Sequence, residues 1–396
     1  MRLACLLLLC YTPTAFAAEL DKTKLAAIAP RMQKFVDAHD ASGIVTLVGT
    51  ASGVAHFEAV GDARLEPRQA MTKDTLFRVA SMTKPMTAAA ILMLADEGKL
   101  AVNDPVEKHL PEFRDQMLVA DRGDLGRLTL VPPRRPITIR DLLTHTSGLP
   151  GYPAGLADVY LKRNRTLGDT TLAVSQRPLD FAPGSRWAYC NSGIDTLGRI
   201  VEVVSGKRFE DFMATRLFEP LGMKDSTFHP TNVQRKRVAS LYDSKGGRLV
   251  AAPDTILGQV ENSRHPVPAG GLYSTGADVA RFYRMMLNDG SVDGKKILSP
   301  KAVREMTRVQ TGDLTCGFTP GMGFGFGFAI VRKPEGVTAM LSEGTFGHGG
   351  AFGTQSWADP KKGIFVILLV QRVGFPNGDA TEIRKEFQRL AFEAIK

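Results

Sequence analysis

Cysteine is scarce in this chain: there are four in 396 residues, and two of them, Cys5 and Cys10, fall in an apolar N-terminal stretch. That excludes a scaffold built on disulfides. Cys190 and Cys316 remain, and an oxidising compartment would permit them to pair, but nothing in the sequence sets the geometry that a bridge needs. Neither Cys-x-x-Cys nor His-Glu-x-x-His occurs, so no metal centre is indicated. Gly-x-Ser-x-Gly is also missing, which counts against the nucleophile elbow of an α/β-hydrolase with a Ser-His-Asp triad. No apolar run reaches the length of a membrane span, and Ile364 to Val370 has the length of a strand. There is no internal repeat and no low-complexity segment.

What is present describes an ordinary globular protein, 43% hydrophobic and 23% charged. Its length suits two structural domains or one composite domain with a sizeable core. The first residues form a secretory signal: Arg2, the apolar run Leu3 to Cys10, and the small-residue site Ala15-Phe16-Ala17. This assigns residues 1–17 to a cleaved leader and places the mature protein in the periplasm or outside the cell. The formal net charge of +9 suits an anionic surface such as the cell wall. Apart from Lys162–Arg165 and Arg235–Arg237 the basic residues are scattered. No nucleic-acid motif accompanies them, so a solvated surface is the better reading and no nucleic-acid partner is expected.

Ile44 to Thr50 and Val54 to Val60, rich in β-branched residues, flank Ala51-Ser52-Gly53 as a β-hairpin. A helix follows with Met86, Ala89, Ala90, Met93 and Leu94 at helical spacing and Gly98 as its stop. Asp104 to Arg135 is a surface connection, and Thr138 to Leu143 is a short helix. Asn191 or Ser192 caps a further helix that carries Ile194, Leu197, Val201 and Val204 on one face and ends at Gly206. Phe209–Leu221 and Gly276–Leu287 are also helical. Strands are expected at Phe324–Val331, His348–Asp359 and Gly363–Val370, with a closing helix over Ile383–Ile395. Strands at both ends with helices between predict an α+β fold, one antiparallel sheet built from both termini.

Three short motifs carry chemistry. Ser81-Met82-Thr83-Lys84 sets a hydroxyl three residues before an amine, a spacing that brings the two side by side on a helix. Pro85 belongs in a first helical turn, so the helix starts close to Ser81 and its positive end favours an oxyanion there. In Tyr189-Cys190-Asn191, an extended segment points Tyr189 and Asn191 to one side and Cys190 to the other. A tyrosine beside an ammonium loses its proton more easily and serves as a base, while Asn191 offers both a donor and an acceptor. His348-Gly349-Gly350 opens a strand whose glycines admit a second backbone, as at a sheet edge that receives substrate. Taken singly, each motif has a plain structural explanation: a helix cap, a turn or a bulge. His145 is a structural turn histidine, and Met285-Met286 belongs to the core.

In order and spacing, these motifs resemble those of class C β-lactamases and their relatives, the penicillin-binding DD-peptidases, D-aminopeptidases and family VIII carboxylesterases. The segments Phe77–Ala80, His145–Pro150 and Ala269–Thr275 share the resemblance, which covers nearly the whole mature chain. It implies a β-lactamase/transpeptidase-like fold over residues 18–396. The sheet would come from about 18–75 and 320–396, with an all-helical region at about 76–319. It implies Ser81 as the acylated nucleophile, Lys84 as its proton partner and Tyr189 as general base. Asn191 would orient Lys84 and the substrate. The backbone N–H groups of Ser81 and Ala351 would form the oxyanion hole. No metal or organic cofactor is implied, and the partner is a small ester, amide or peptide.

The chain departs from the β-lactamase pattern at its third motif. Lys-Thr-Gly stands there in β-lactamases and helps to hold the drug's carboxylate, whereas His348-Gly349-Gly350 offers an imidazole and no hydroxyl. A neutral ester suits this site, so esterase-like hydrolysis is expected first. D-Ala-D-Ala or D-amino-acid peptidase activity and weak β-lactamase activity are the alternatives within the family. A penicillin-binding sensor without turnover is the alternative outside catalysis.

Overall fold

The apolar run at Gly43–Thr50 forms strand β1, buried at every position, and Gly53–Arg64 forms β2, antiparallel to it. These and all later statements concern a computed structural model that describes residues 18–156, 158–253, 257–258 and 262–396. The leader at 1–17 lies outside the described residues. β3 is the short Gln69–Ala70. The far end of the chain supplies β4 (Met322–Phe324), β5 (Ala329–Val331), β6 (Phe346–Gly349), β7 (Gln355–Asp359) and β8 (Ile364–Leu369). They build one eight-stranded sheet in the order β4-β5-β6-β7-β8-β1-β2-β3. The two ends of the chain therefore meet at β1 and β8, antiparallel with Val45 opposite Leu369.

Strands β1 and β8 are buried throughout because both sheet faces are covered. The helices that matter here are α1 (Ile28–Asp37), α2 (Thr83–Asp96), α3 (Asn191–Ser205), α4 (Gly276–Leu287) and α5 (Glu382–Glu393). On one face Ile364, Val366 and Leu368 pack with Ile28 and Met32 of α1 and Ile383 and Phe387 of α5. On the other, Phe365, Ile367 and Leu369 join the larger core together with Val279 and Phe282 of α4. The sheet is antiparallel and built from both termini, as the sequence predicted, and it is the middle layer of a helix–sheet–helix stack.

Helix α2 buries every residue from Thr83 to Leu94. It is the axis of the region between the two halves of the sheet, and its run Ala88-Ala89-Ala90 lets neighbours approach closely. A helix apolar around its whole circumference has to be internal. Helix α3 packs against it with Ile194, Leu197 and Val201 buried, and Gly206 ends α3 at a φ of 69°.

Several expectations need correction. The region at 76–319 is not all helical. Leu118–Arg122 and Leu128–Val131 pair as an exposed hairpin, and so do Tyr242–Lys245 and Arg248–Ala251. Gly246 and Gly247, both at positive φ, turn the second one tightly. The expected strand Phe324–Val331 is two strands, β4 and β5. Gly325–Phe328 connects them because Gly327 adopts a φ of 73°, and the fully buried Phe326 and Phe328 anchor the connection in the core. His348–Asp359 likewise divides into β6 and β7 around a turn at Gly350–Thr354. The N-cap of α3 is Cys190 rather than Asn191 or Ser192: its Sγ accepts from the Gly193 N–H at 3.4 Å. The Ser192 hydroxyl donates instead to the Pro150 carbonyl at 2.7 Å. Cys190 and Cys316 are both buried and unpaired.

Phe365 shows how closely the sheet is packed: a Cβ on Gly49 would lie 2.4 Å from its ring. Phe365→Ala should cost about 3–5 kcal/mol of folding free energy by opening a cavity between β8 and α4. Urea unfolding followed by fluorescence measures this, and a loss below about 1 kcal/mol would contradict the packing described.

Candidate active site

Ser81 lies in a single 3-10 turn, Ala80–Met82, and α2 begins directly after it at Thr83, with Pro85 in the first turn. Ala80 has a φ of 48°, a left-handed conformation that costs an alanine energy. Neighbours hold it there. The Thr83 hydroxyl donates to the Ala80 carbonyl at 2.7 Å, and the Thr354 hydroxyl donates to the Val79 carbonyl at 3.1 Å. Ser81 itself is half-buried and so reachable from solvent.

Lys84 is fully buried. Its Nζ lies 2.9 Å from Ser81 Oγ and donates to the Ala269 carbonyl at 2.6 Å. It also sits 4.7 Å from the centre of the Tyr189 ring. Burial penalises the charged amine and brings it down to about 7, with the Asp195 carboxylate acting in the opposite direction. The Tyr189 hydroxyl donates to Ser81 Oγ at 2.8 Å. Burial pushes this phenol well above its usual range, and the hydrogen bond to Ser81 offsets only part of that. Burial thus works against the proton loss that the sequence predicted for Tyr189 beside Lys84, and toward the neutral form of the amine.

The Ala269 carbonyl comes from a loop clamped to α2. Thr87 donates to the Pro268 carbonyl at 2.8 Å, and Thr83 Oγ1 accepts from the Leu272 N–H at 3.3 Å. The loop turns sharply at Gly271, where a Cβ would lie 2.0 Å from the Pro266 carbonyl. It also rests on α3, where a Cβ on Gly198 would lie 2.3 Å from the Pro268 ring. Asn191 does not join this cluster. It is solvent-exposed in the first turn of α3, and Lys84 bonds to Ser81 and Ala269 instead. The extended segment assumed for Tyr189–Asn191 ends one residue early, so Asn191 follows helical geometry.

His348 stands on β6 and is buried. Its Nδ1 meets the Gly349 carbonyl at 2.6 Å, and its ring centre lies 6.1 Å from that of Tyr189. Burial and the nearby Lys84 lower its titration to about 4, so the imidazole is neutral at physiological pH. β6 lies between β5 and β7, but β5 pairs with it only at Phe346 and Gly347, so His348 and Gly349 pair with β7 alone and keep the open edge that the sequence predicted. The glycines accommodate side chains of this chain. A Cβ on Gly349 would lie 1.9 Å from Asp379 Oδ1, and one on Gly350 would lie 2.1 Å from Thr354 Oγ1. Gly350 also abuts the backbone before the nucleophile, where a Cβ would lie 2.5 Å from the Val79 carbonyl. That close approach brings the turn bearing Ala351 up to the Ser81 turn. His145, read as structural, accepts the Cys190 N–H at 3.1 Å and packs on Tyr189 with ring centres 4.6 Å apart.

Aromatic side chains rim the nucleophile. Phe318, half exposed, lies 5.0 Å from Tyr189 and 6.0 Å from Trp187 between ring centres, and Trp187 lies 5.2 Å from Phe324. Sequence reasoning assigned no role to Ala269, Asp195, Phe318 or Asp379. The glycine pair after Ala269 was the one local signal, since it marks a tight turn. A half-exposed hydroxyl beside a depressed amine, with a phenol on the same oxygen, is equipped for nucleophilic acyl transfer.

A family model described as Beta-lactamase matches residues 28–390. Esterase EstB of Burkholderia gladioli is 32% identical over 390 residues, which covers 90% of this chain and 92% of that protein. Penicillin-binding protein 4 of Amycolatopsis lactamdurans is 34% identical over 307 residues, covering 76% of this chain and 73% of that one. Among solved structures, EstCE1, described as a hydrolase with promiscuous acyltransferase activity, superposes with a TM-score of 0.78 at 25% identity. That match covers 94% of this chain and 98% of EstCE1. With this match over nearly its whole length, and with a hydroxyl, an amine and a phenol meeting at one oxygen, the chain belongs to the beta-lactamase family of serine hydrolases.

Proposed function

We propose that this protein is a carboxylesterase-type member of the family that hydrolyses neutral, apolar esters through an acyl-enzyme on Ser81. The observation that carries this reading is the absence of net positive charge at the third motif. His348 is neutral, and the Asp379 carboxylate packs against Gly349. The buried Arg384 guanidinium donates to the Asp379 carbonyl at 2.6 Å and offsets that carboxylate. An anionic acyl group would leave water for a site without a counter-charge, which is costly. The aromatic rim of Phe318 and Trp187, backed by the buried Phe324, suits an apolar ester. Esterase EstB is a relative over nearly the whole chain. The N-terminal stretch of Arg2, Leu3–Cys10 and Ala15–Ala17 supports export as part of the same reading.

In this mechanism Ser81 Oγ attacks the ester carbonyl while its proton passes to neutral Lys84. The Ser81 and Ala351 N–H groups receive the oxyanion. Tyr189, still protonated, gives its proton to the departing alkoxide and is reprotonated from the Lys84 ammonium. Water then attacks the acyl-enzyme, its proton taken by the same pair, and releases the acid.

Ser81→Ala should abolish turnover of p-nitrophenyl butyrate. The wild type should hydrolyse that ester with kcat/KM at least about a hundredfold above that for the anionic nitrocefin, the scale of an unmet buried charge. Nitrocefin turnover equal to that of the ester would move the assignment to a β-lactamase, and ester turnover surviving Ser81→Ala would remove the nucleophile.

Lys84 accepts a proton only when neutral, and its folded value of about 7 lies below that of a free lysine. Ester kcat/KM should therefore rise with pH through about 7 and fall away below it. Tyr189→Phe should lower kcat by about a hundredfold or more while leaving this acid limb in place. Stopped-flow pH profiles test both, and a limb at pH 5 or 9 would assign it to another group.

A further inference from the structure

A buried carboxylate stands beside the catalytic cluster and has no part in the chemistry just described. Asp195, on the second turn of α3, is fully buried. Its Oδ2 accepts from the Tyr152 hydroxyl at 2.5 Å and from the Tyr160 hydroxyl at 2.6 Å. Its Oδ1 accepts from the Ala269 N–H at 2.9 Å. The carbonyl of the same Ala269 receives the Lys84 amine. Asp195 and Lys84 therefore grip one residue from opposite sides. A lone acid this deep in a protein is costly to bury, yet three donors meet it, each at hydrogen-bonding distance.

We propose that Asp195 is a positioning residue for acylation. Through the Ala269 backbone it holds the Lys84 amine on Ser81, and its carboxylate charge stabilises the ammonium that forms when Ser81 gives up its proton. This rests on the reading of Lys84 as the proton acceptor.

Geometry and electrostatics agree. Opposite charges inside the protein attract with little screening by salt or water. Tyr152 and Tyr160 are themselves raised by burial and by Asp195, so they act as donors that fix the carboxylate. The other groups around the cluster whose titration moves are Tyr189, His348 with two further histidines, and a thiol, and Tyr189 is raised by burial. His145 and His265 are lowered by burial, His348 is lowered to about 4, and the Cys190 thiol is raised. A limb near pH 7 is thus a property of Lys84, and Asp195 is the carboxylate that opposes its depression. The tyrosines come from the connection after Pro150 and Ala269 from the loop before α4, so Asp195 also ties two irregular segments to α3.

The test is a set of pH–rate profiles with p-nitrophenyl butyrate for wild type, Asp195→Asn, Tyr160→Phe and Tyr152→Phe. Asn keeps the shape and an acceptor for the Ala269 N–H but removes the charge. Asp195→Asn should move the acid limb of kcat/KM down by about one pH unit, because the neutral amine then persists to lower pH. It should also lower kcat by about tenfold or more with little change in KM. Each tyrosine variant keeps the charge and loosens the carboxylate, so kcat should fall several-fold with the limb in place.

A purely structural Asp195 would lower thermal stability without moving the limb, and that result in a folded Asp195→Asn protein overturns the proposal. Should Asp195→Asn fail to fold, wild-type kcat in both tyrosine variants overturns it equally. Failure of the underlying reading is distinct: the wild type itself would lack Ser81-dependent turnover or an acid limb near pH 7.

Discussion

The amine of Lys84, removed from water, is the constraint on which the rest of this structure depends. A lysine in solution is an ammonium at neutral pH and cannot take a proton from a serine. Enclosing it between α2, α3 and the loop at Pro266–Leu272 penalises that charge until the neutral form becomes accessible. Enclosure demands close, mostly apolar and small neighbours, which is why α2 is buried on all sides and why Gly198 and Gly271 stand where ring and backbone come within reach of a Cβ. It also demands polar partners for the amine itself. Ser81 Oγ and the Ala269 carbonyl meet that requirement.

The eight-stranded sheet serves the same end from the other side. β6 pairs with β7 up to Gly349, the Gly350 N–H donates to the Thr354 carbonyl across the turn that follows, and Gly350 fits that turn against the backbone carrying Ala80. The strained conformation at Ala80 is therefore bounded by Thr83 from its own helix and by Thr354 from the turn before β7. A nucleophile presented in this way is already oriented before substrate arrives, so that part of the entropic cost is met in folding.

Much of this was legible in the sequence, for reasons that can be located. The spacing of Ser81 and Lys84, with Pro85 behind them, defines a local geometry that needs no tertiary information. The runs Ile44–Thr50 and Gly363–Val370 were legible as strands from their composition, whereas the covering of both faces of the sheet shows only in the packing. What escaped depended on burial or on the backbone. The proton affinities of Tyr189 and Lys84 are reversed by the depth of the site, which no spacing encodes. Ala269 contributes a carbonyl that every residue type possesses. Asp195 is a single acid on a helix, and only its neighbours from distant segments give it meaning. Asn191 was placed on an extended segment, whereas the helix already begins at that residue. The Gly-Phe alternation after Met322 resembles a strand until Gly327 is seen at positive φ.

The groups that fix the Lys84 amine come from the Ser81 turn, α3 and the Pro266–Leu272 loop, whereas Phe318, which packs on Tyr189, comes from the connection between α4 and β4. The anchorage of the lysine and this part of the substrate wall are therefore supplied by different segments of the chain. Rewriting that connection would change which molecules enter without reopening the question of how a lysine stays uncharged. One buried arrangement of this kind can be inherited intact while its repertoire diversifies at the rim.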